Sequence, residues 1–252
     1  MKIIIDKNKQ TNYKDNFINI NNNNITFTNN GEHNITIKNS TNLNLNIKVE
    51  KDVHIKLFIE SIDNKLNIKN NYILNENSDL FISKFYSNKE VKEEEIIELN
   101  GKEAKFNYKF ASIGKNNEDY HIIINHNDKN TSSYISNKCI GCNNSKINFI
   151  IDSILPKGNT SCIMDQTTKI LTLGDVQAKI EPNMFIDEDT VEARHGSVIG
   201  TFSYDDIFYL MSRGITEEEA YDLLLKGFLF SNLELNMENK AKIYECIKAI
   251  RR

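Results

Sequence analysis

The sequence predicts a mainly β protein that ends in a small α-helical region. Three observations carry this. Short runs that alternate apolar and polar residues recur through the first 200 residues, the signature of half-buried strands. From Ser203 the apolar period lengthens to that of a helix, and helix caps appear at the right offsets. Pro and Gly are scarce, with 2 and 10 in 252 residues, whereas Asn reaches 38. Asn tolerates the left-handed backbone, so it serves as the turn residue that Gly supplies elsewhere.

In chain order, strands are expected at residues 25–28, 34–38, 43–49, 53–60, 106–110, 120–124, 146–151 and 178–182, where β-branched residues alternate with Asn, Lys and Thr. Two architectures suit such runs. An antiparallel sandwich would use Asn30-Gly31 and Asn100-Gly101 as hairpin turns. A parallel β-helix would place Asn at its corners. No exact repeat is present, so periodicity leaves both open. The acidic run EVKEEEIIE at 90–98 reads as a solvated loop or edge.

Ser203 is placed to cap a first helix, with Asp206 at N3, Phe202 and Ile207 at the staple positions, and Gly214 as the C′ glycine. Ile207, Phe208 and Met211 form its apolar stripe. Thr216 with Glu219 opens a second helix whose buried face is expected at Ala220, Leu223 and Leu224 and whose end is expected at Gly227. A third helix is expected from about residue 236 to 250, burying Ile243, Cys246, Ile247 and Ile250. The chain divides accordingly into residues 1–200 and 201–252.

Composition excludes several function classes. The excess of Asn, Ile and Lys resembles drift toward AT-rich codons, so Asn runs such as Asn21–Asn24 carry little functional weight. A net charge of −4 gives no basic field for nucleic acid. No apolar run approaches membrane-span length, and the N-terminal MKIIIDKN lacks the apolar core of a secretory leader. Four cysteines do not make a disulfide scaffold. A soluble protein of the reducing cytoplasm is expected. No GxxxxGK[ST], GxSxG or HExxH motif occurs.

Few residues carry candidate chemistry. Cys139-Ile-Gly-Cys142 is either a pair of metal or redox thiols or two ordinary thiols in a turn; no second CxxC completes a zinc set. Cys162 lies in a strand-like run, and Cys246 on a helix stripe. His121 and His126 are five apart in a strand, on opposite faces. In VEARHGSVIG (191–200), alternation places Ala193 and His195 on one face and Glu192 and Arg194 on the other. With 27 Lys and four Arg, Arg194 and Arg213 mark places where a planar guanidinium serves a fixed ion pair or partner contact.

Residues 195–229, HGSVIGTFSYDDIFYLMSRGITEEEAYDLLLKGFL, resemble the characteristic tail of the SufB/SufD family, the scaffold subunits of the SUF iron–sulfur cluster assembly system. The likeness extends loosely upstream through DQTTKILTLGD (165–175) and AKIEPNMFIDEDTVEARHG (178–196). It implies a right-handed parallel β-helix followed by a helical region, which favours the solenoid over the sandwich. It implies a scaffold for a transient iron–sulfur cluster, not an enzyme, with ATP hydrolysis in a SufC-like ABC ATPase docked on Phe208, Tyr209, Met211 and Arg213. It implies pairing as a homodimer or a SufB/SufD-type heterodimer. By the resemblance His195 matches the family's assembly histidine; Glu192 and Cys162 are further candidate cluster ligands, and Cys139 and Cys142 candidate metal thiols. The chain departs from the family at Ala193, where SufD-type members carry Cys, and at Thr167, near the sulfur-receiving Cys of SufB-type members. Gly196 after His195 is SufD-like. The length is similar to that of short members from archaea and anaerobes. The alternative reading is a partner-binding subunit of the same complex without cluster ligands of its own.

Overall fold

The computed structural model describes residues 2–6, 12–14, 18–21, 23–38 and 41–250. Asn22 of the early Asn run and residues 251–252 of the helical region lie outside the described residues. Two sheets face each other. Sheet A orders β1 (Lys2–Asp6), β5 (Gly31–Lys38), β7 (His54–Ile62), β9 (Asp79–Ser87), β11 (Lys105–Gly114), β13 (Ser132–Gly141), β15 (Cys162–Thr172) and β17 (Val191–Gly200). Sheet B orders β4 (Asn24–Phe27), β6 (Thr41–Val49), β8 (Lys65–Leu74), β10 (Glu90–Leu99), β12 (Asn117–His126), β14 (Lys146–Leu155) and β16 (Gln177–Ile186). At its far edge β3 (Ile18–Asn21) and β2 (Asn12–Lys14) add antiparallel strands. From β5 on, successive strands alternate between sheets and pair in parallel, so the chain winds as a β-solenoid of about six turns. The parallel ladders rule out the sandwich. Gly31 opens a strand of sheet A, and Asn100-Gly101 is a coil corner, so neither pair is a hairpin turn.

Strand alternation builds the core. In β8 every second residue from Leu66 to Leu74 is buried and its neighbours face outward. The inward rows carry Ile and Leu at the N-terminal end and stacked aromatics farther on, among them Tyr120 and Phe149 with ring centroids 4.6 Å apart. Stacked residues run Ile68, Glu93, Tyr120, Phe149, Ile180, so the coil lengthens along the chain. That growth falls in the corners and in the sheet A strands, which lengthen from 9 residues in β9 to 11 in β15, and it is why the sequence shows no exact repeat.

The corners do use Asn and Asp in place of Gly: Asp52, Asp63, Asn77, Asn130 and Asn144 all have φ between 51° and 65°. Asn has a second role that composition did not reveal. Asn24, Asn46 and Asn71 occupy one register position on successive coils. The Asn71 amide donates to Asn46 at 2.7 Å and that of Asn46 to Asn24 at 2.8 Å. Such a ladder requires identical residues at coil spacing, so part of the Asn excess is structural.

Gly101 is required by a close approach. A Cβ there would lie 2.0 Å from the Glu76 backbone nitrogen of the preceding coil's corner. Gly101→Ala is therefore expected to lower stability by about 1–3 kcal/mol, the range for overpacking. The urea midpoint measures this, and an unchanged midpoint would contradict the corner packing.

The acidic run is not a solvated edge. It is β10, a central strand, and period two turns Val91, Glu93, Glu95, Ile97 and Leu99 into the lumen. The apolar residues of that row fix the register, and the two carboxylates are carried inside with them.

The helical region folds back on sheet A. Its elements are α1 (Tyr204–Ser212), α2 (Glu217–Phe230) and α3 (Met237–Ala249). Ser203 caps α1 by accepting from the Asp206 N–H, and Thr216 and Glu219 form a reciprocal capping box on α2. Gly214, at φ 83°, ends α1 as expected. α2 continues past Gly227 to Phe230, and its buried face is Ala220, Leu225 and Leu229, with Leu223 exposed. A run of three leucines cannot tell by period alone which one faces inward; the contact surface of sheet A selects Leu225. Leu225, Leu229, Ile243 and Ile247 pack on Phe58, Phe85, Ile113 and Ile140, the outer face of sheet A. Asn232 pins the α2–α3 connection by donating to the carbonyls of Phe110 and Ser136 at 2.7 and 2.9 Å. Lys242 of α3 bridges to Glu60 at 2.9 Å. Among the described residues, no helix is long and apolar enough to cross a membrane.

Candidate functional site

The solenoid ends on β17 and β16. Each pairs on one side only among the described residues, β17 with β15 and β16 with β14. Register puts His195 beside Gln166, Glu192 beside Ile163 and Val191 beside Cys162. Gln166 is buried in the lumen, so alternation sets His195, Ala193 and Ser197 on the lumen side of the last coil and Glu192 and Arg194 outside. The Arg194 guanidinium meets the Asp165 carboxylate at 2.9 Å. This end is open: Phe185 and Val198 on the outer face and Ile199 on the lumen side are each about half exposed.

The helix that follows is equally open. α1 buries only Ile207. Tyr204, Phe208, Tyr209 and Met211 are exposed. The Tyr204 and Phe208 rings stack at 6.0 Å, and the Arg213 guanidinium lies 5.2 Å from the centre of the Tyr209 ring. The four residues implicated by the tail motif thus lie together in the last turns and the C-cap of α1, the helix that follows β17 in the chain.

The cysteines do not converge. Cys139 faces the lumen, whereas Cys142 packs in the cluster under the helices. Burial pushes the Cys139 thiol far up, with Glu118 adding to it, and pushes Cys142 up to about 11, so without a bound metal both thiols are protonated at neutral pH. Cys162 is buried at the start of β15, within hydrogen-bond range of Thr131 Oγ1 at 3.2 Å and the Asn159 carbonyl at 3.2 Å. Thr131 also bonds His126 Nδ1 at 2.8 Å, and His126 Nε2 meets Ser133 at 2.9 Å. Burial lowers His126 to about 4, so it is neutral at physiological pH. Cys162 and His195 point to the same side but sit four residues apart along the ladder, about 13 Å at strand rise. Among the described residues, no group of three or more His, Cys, Asp and Glu is placed to hold a metal ion. Cys246 packs against the helix–sheet cluster, and His121 and His126 do face opposite sides, outward and inward.

Sequence reasoning missed a polar column inside the lumen. Lys84 of β9 contacts Glu93 Oε1 at 3.1 Å and Glu95 Oε1 more closely. Tyr86 donates to Glu93 at 2.8 Å, Tyr72 to Glu95 at 3.2 Å, and the Asn70 amide to both. Burial pushes Glu93 up to about 7 against the pull of Lys84. For Lys84 burial acts downward, and the two carboxylates outweigh it. One coil on, Glu118 Oε2 accepts from Tyr120 at 2.9 Å and Ser112 at 3.1 Å, and Ser112 Oγ lies 2.9 Å from Cys139 Sγ. Burial raises Glu118 to about 7 as well. The available signal was the alternation of 91–99, which fixes one face for Val91, Glu93, Glu95, Ile97 and Leu99.

The profile of the SUF system FeS cluster assembly SufBD core domain matches residues 2–228. The iron-sulfur cluster assembly protein SufD of Bacillus subtilis is 30% identical over 117 residues, 46% of this chain and 27% of that protein. A SufBD family protein of Pyrococcus horikoshii is 39% identical over 75 residues, 29% of this chain and 15% of its own length. One from Mycobacterium leprae is 48% identical over 60 residues, 23% and 15% of the two chains. Each alignment spans less than a third of the relative. With the profile covering nearly the whole chain, and a β-solenoid closed by a helical tail, the chain belongs to the SufBD family of iron–sulfur cluster assembly proteins.

Proposed function

We propose that the chain is a scaffold subunit on which an iron–sulfur cluster, the cargo of the reaction, is assembled with a SufC-like ABC ATPase that supplies all ATP hydrolysis. The exposed apolar face of α1 supports the ATPase contact: Phe208, Tyr209 and Met211 stay open while α2 and α3 bury theirs. An apolar helix face with an adjacent Arg suits a helix-in-groove contact. The unpaired edges of β16 and β17, with Phe185, Val198 and Ile199 exposed, support pairing with a second copy; an open parallel edge is otherwise an aggregation hazard. Such a homodimer brings two copies of β17 together, with two His195 on the lumen side and two Glu192 on the outer side as the donors available to a nascent cluster. A SufB/SufD-type heterodimer would use the same edge. Four free cysteines suit a reducing cytoplasm.

The alternative is a partner-binding subunit without cluster ligands of its own. Burial of Cys139 and Cys162 favours it. Co-expression with a SufC-like ATPase, followed by anaerobic reconstitution with iron and sulfide, separates the readings. A stable complex whose cluster absorbance is lost on His195→Ala supports the scaffold. A complex that never acquires a cluster supports the alternative. A folded chain that does not co-purify with the ATPase overturns both.

A further inference from the structure

Lys84, Asn70 and Glu93 meet in the lumen in a way that the assembly role does not use. All three are buried, and they come from three different strands: Asn70 on β8, Lys84 on β9 and Glu93 on β10. Glu93 Oε1 lies 3.1 Å from Lys84 Nζ and 2.8 Å from Asn70 Nδ2. Glu95 Oε1 repeats the bridge, 3.1 Å from Asn70 Nδ2 and in contact with Lys84 Nζ. Amine and amide are thus held against the same two carboxylate oxygens. The Asn70 carbonyl oxygen is buried without a hydrogen-bond partner. The phenols of Tyr72, Tyr86 and Tyr108 surround the group, and the Lys84 nitrogen lies 5.2 Å from the Tyr108 ring centre and 5.4 Å from that of Tyr86.

We propose that Lys84 and Asn70 form an intramolecular isopeptide bond across the lumen, with Glu93 as the proton shuttle. The chemistry needs no outside reagent. The Lys84 ammonium passes one proton to the Glu93 carboxylate in contact with it. A dry site favours this transfer because it removes two buried charges at once, and burial already disposes Glu93 to hold a proton. The neutral Nζ then adds to Cγ of Asn70 and a Cγ–Nζ bond forms. Glu93 gives its proton to Nδ2 and takes one back from Nζ, the Cγ–Nδ2 bond breaks, and ammonia leaves. A primary amide and an amine have become a secondary amide and ammonia, with no change in oxidation state. Desolvated lysine is a competent nucleophile, and fixed proximity replaces the concentration of a second reactant. The two carboxylates keep Lys84 mainly protonated at rest, but the bond forms once in the life of each molecule, so a minor neutral population suffices. The product would tie sheet B to sheet A in the middle of the solenoid.

The test is the intact mass of the purified, folded full chain. A mass lower than the sequence mass by one ammonia is expected. Trypsin should then fail to cut after Lys84 and release a looped peptide of residues 70–89 carrying the deficit. Lys84→Met and, separately, Asn70→Ala should each restore the full mass expected for the variant. The full sequence mass in the parent protein overturns the proposal. So does a deficit of one water, which would mark a Lys–Glu amide. An ammonia deficit with normal cleavage after Lys84 overturns it too, because that marks an Asn succinimide. These readouts come from the parent protein, so they stand even if a lumen variant fails to fold.

Discussion

Replacing Phe208 and Tyr209 together with alanine is expected to weaken binding of a SufC-like ATPase by about 100-fold or more, with no loss of fold. Buried aromatic anchors at interfaces typically contribute about 2 kcal/mol or more each on truncation, and about 2.7 kcal/mol is a 100-fold change in affinity. Both rings are more than half exposed, at 56% and 57%, so their removal leaves no cavity in the chain itself. Tyr209 also carries the Arg213 guanidinium, so its loss frees a cation that the interface would use in a fixed position. Titration calorimetry against the isolated ATPase reads the affinity, and a thermal melt of the variant alone reads the fold. Unchanged affinity in a folded variant would move the docking surface off α1. A matched substitution of Leu229, buried between α2 and sheet A, should behave oppositely and lower the melt first.

Glu118→Gln is expected to stabilise the protein by about 3 kcal/mol at pH 8, with the gain fading toward pH 4.5. The sign follows from proton linkage. Burial raises the folded-state pKa of Glu118 from 4.5 to about 7, so between those values the folded chain binds more protons than the unfolded chain. Stability from this group is complete below about pH 4.5 and is lost as pH rises through 7; a shift of that size is worth about 3 kcal/mol. Gln keeps the shape and hydrogen-bonding capacity toward Tyr120 and Ser112 but has no charge to bury. His126 acts in the other direction. Its folded value near 4 costs stability as pH falls from about 6.5 toward 4, and Glu93 titrates like Glu118. Both remain in parent and variant, so the difference between the two urea curves at pH 5 and pH 8 isolates Glu118. A variant that is less stable than the parent at pH 8 would show that the carboxylate is stabilised by its neighbours rather than penalised by burial.

Much of the fold was legible because its signals are local. Alternation located the strands at 34–38, 43–49 and 146–151, and capping geometry located Ser203, Thr216 and Gly214. Strands β8, β9 and β13 escaped because Asn, Lys and Ser occupy enough of their positions to blur the alternation. The tail motif marked His195 and the α1 residues, yet their neighbourhood was not readable. What faces His195 is decided by its pairing with Gln166, and what faces Cys139 by Ser112 and Glu118, all residues distant in sequence.

The sequence by itself determined the period of many segments, the fitness of Asn for left-handed corners, the N-caps of the first two helices and the family-like tail, since each depends on neighbours within a few positions. The tertiary structure decided the rest. Parallel stacking joins residues one coil apart through corners of varying length, so only the folded chain shows that Asn24, Asn46 and Asn71 form a ladder. It also decided that the acidic run turns two carboxylates onto Lys84, because inward and outward faces acquire partners only when the second sheet closes over the first. And it decided that Leu225 rather than Leu223 is buried while α1 stays open, because helix period sets a stripe but the surface it meets selects the residue.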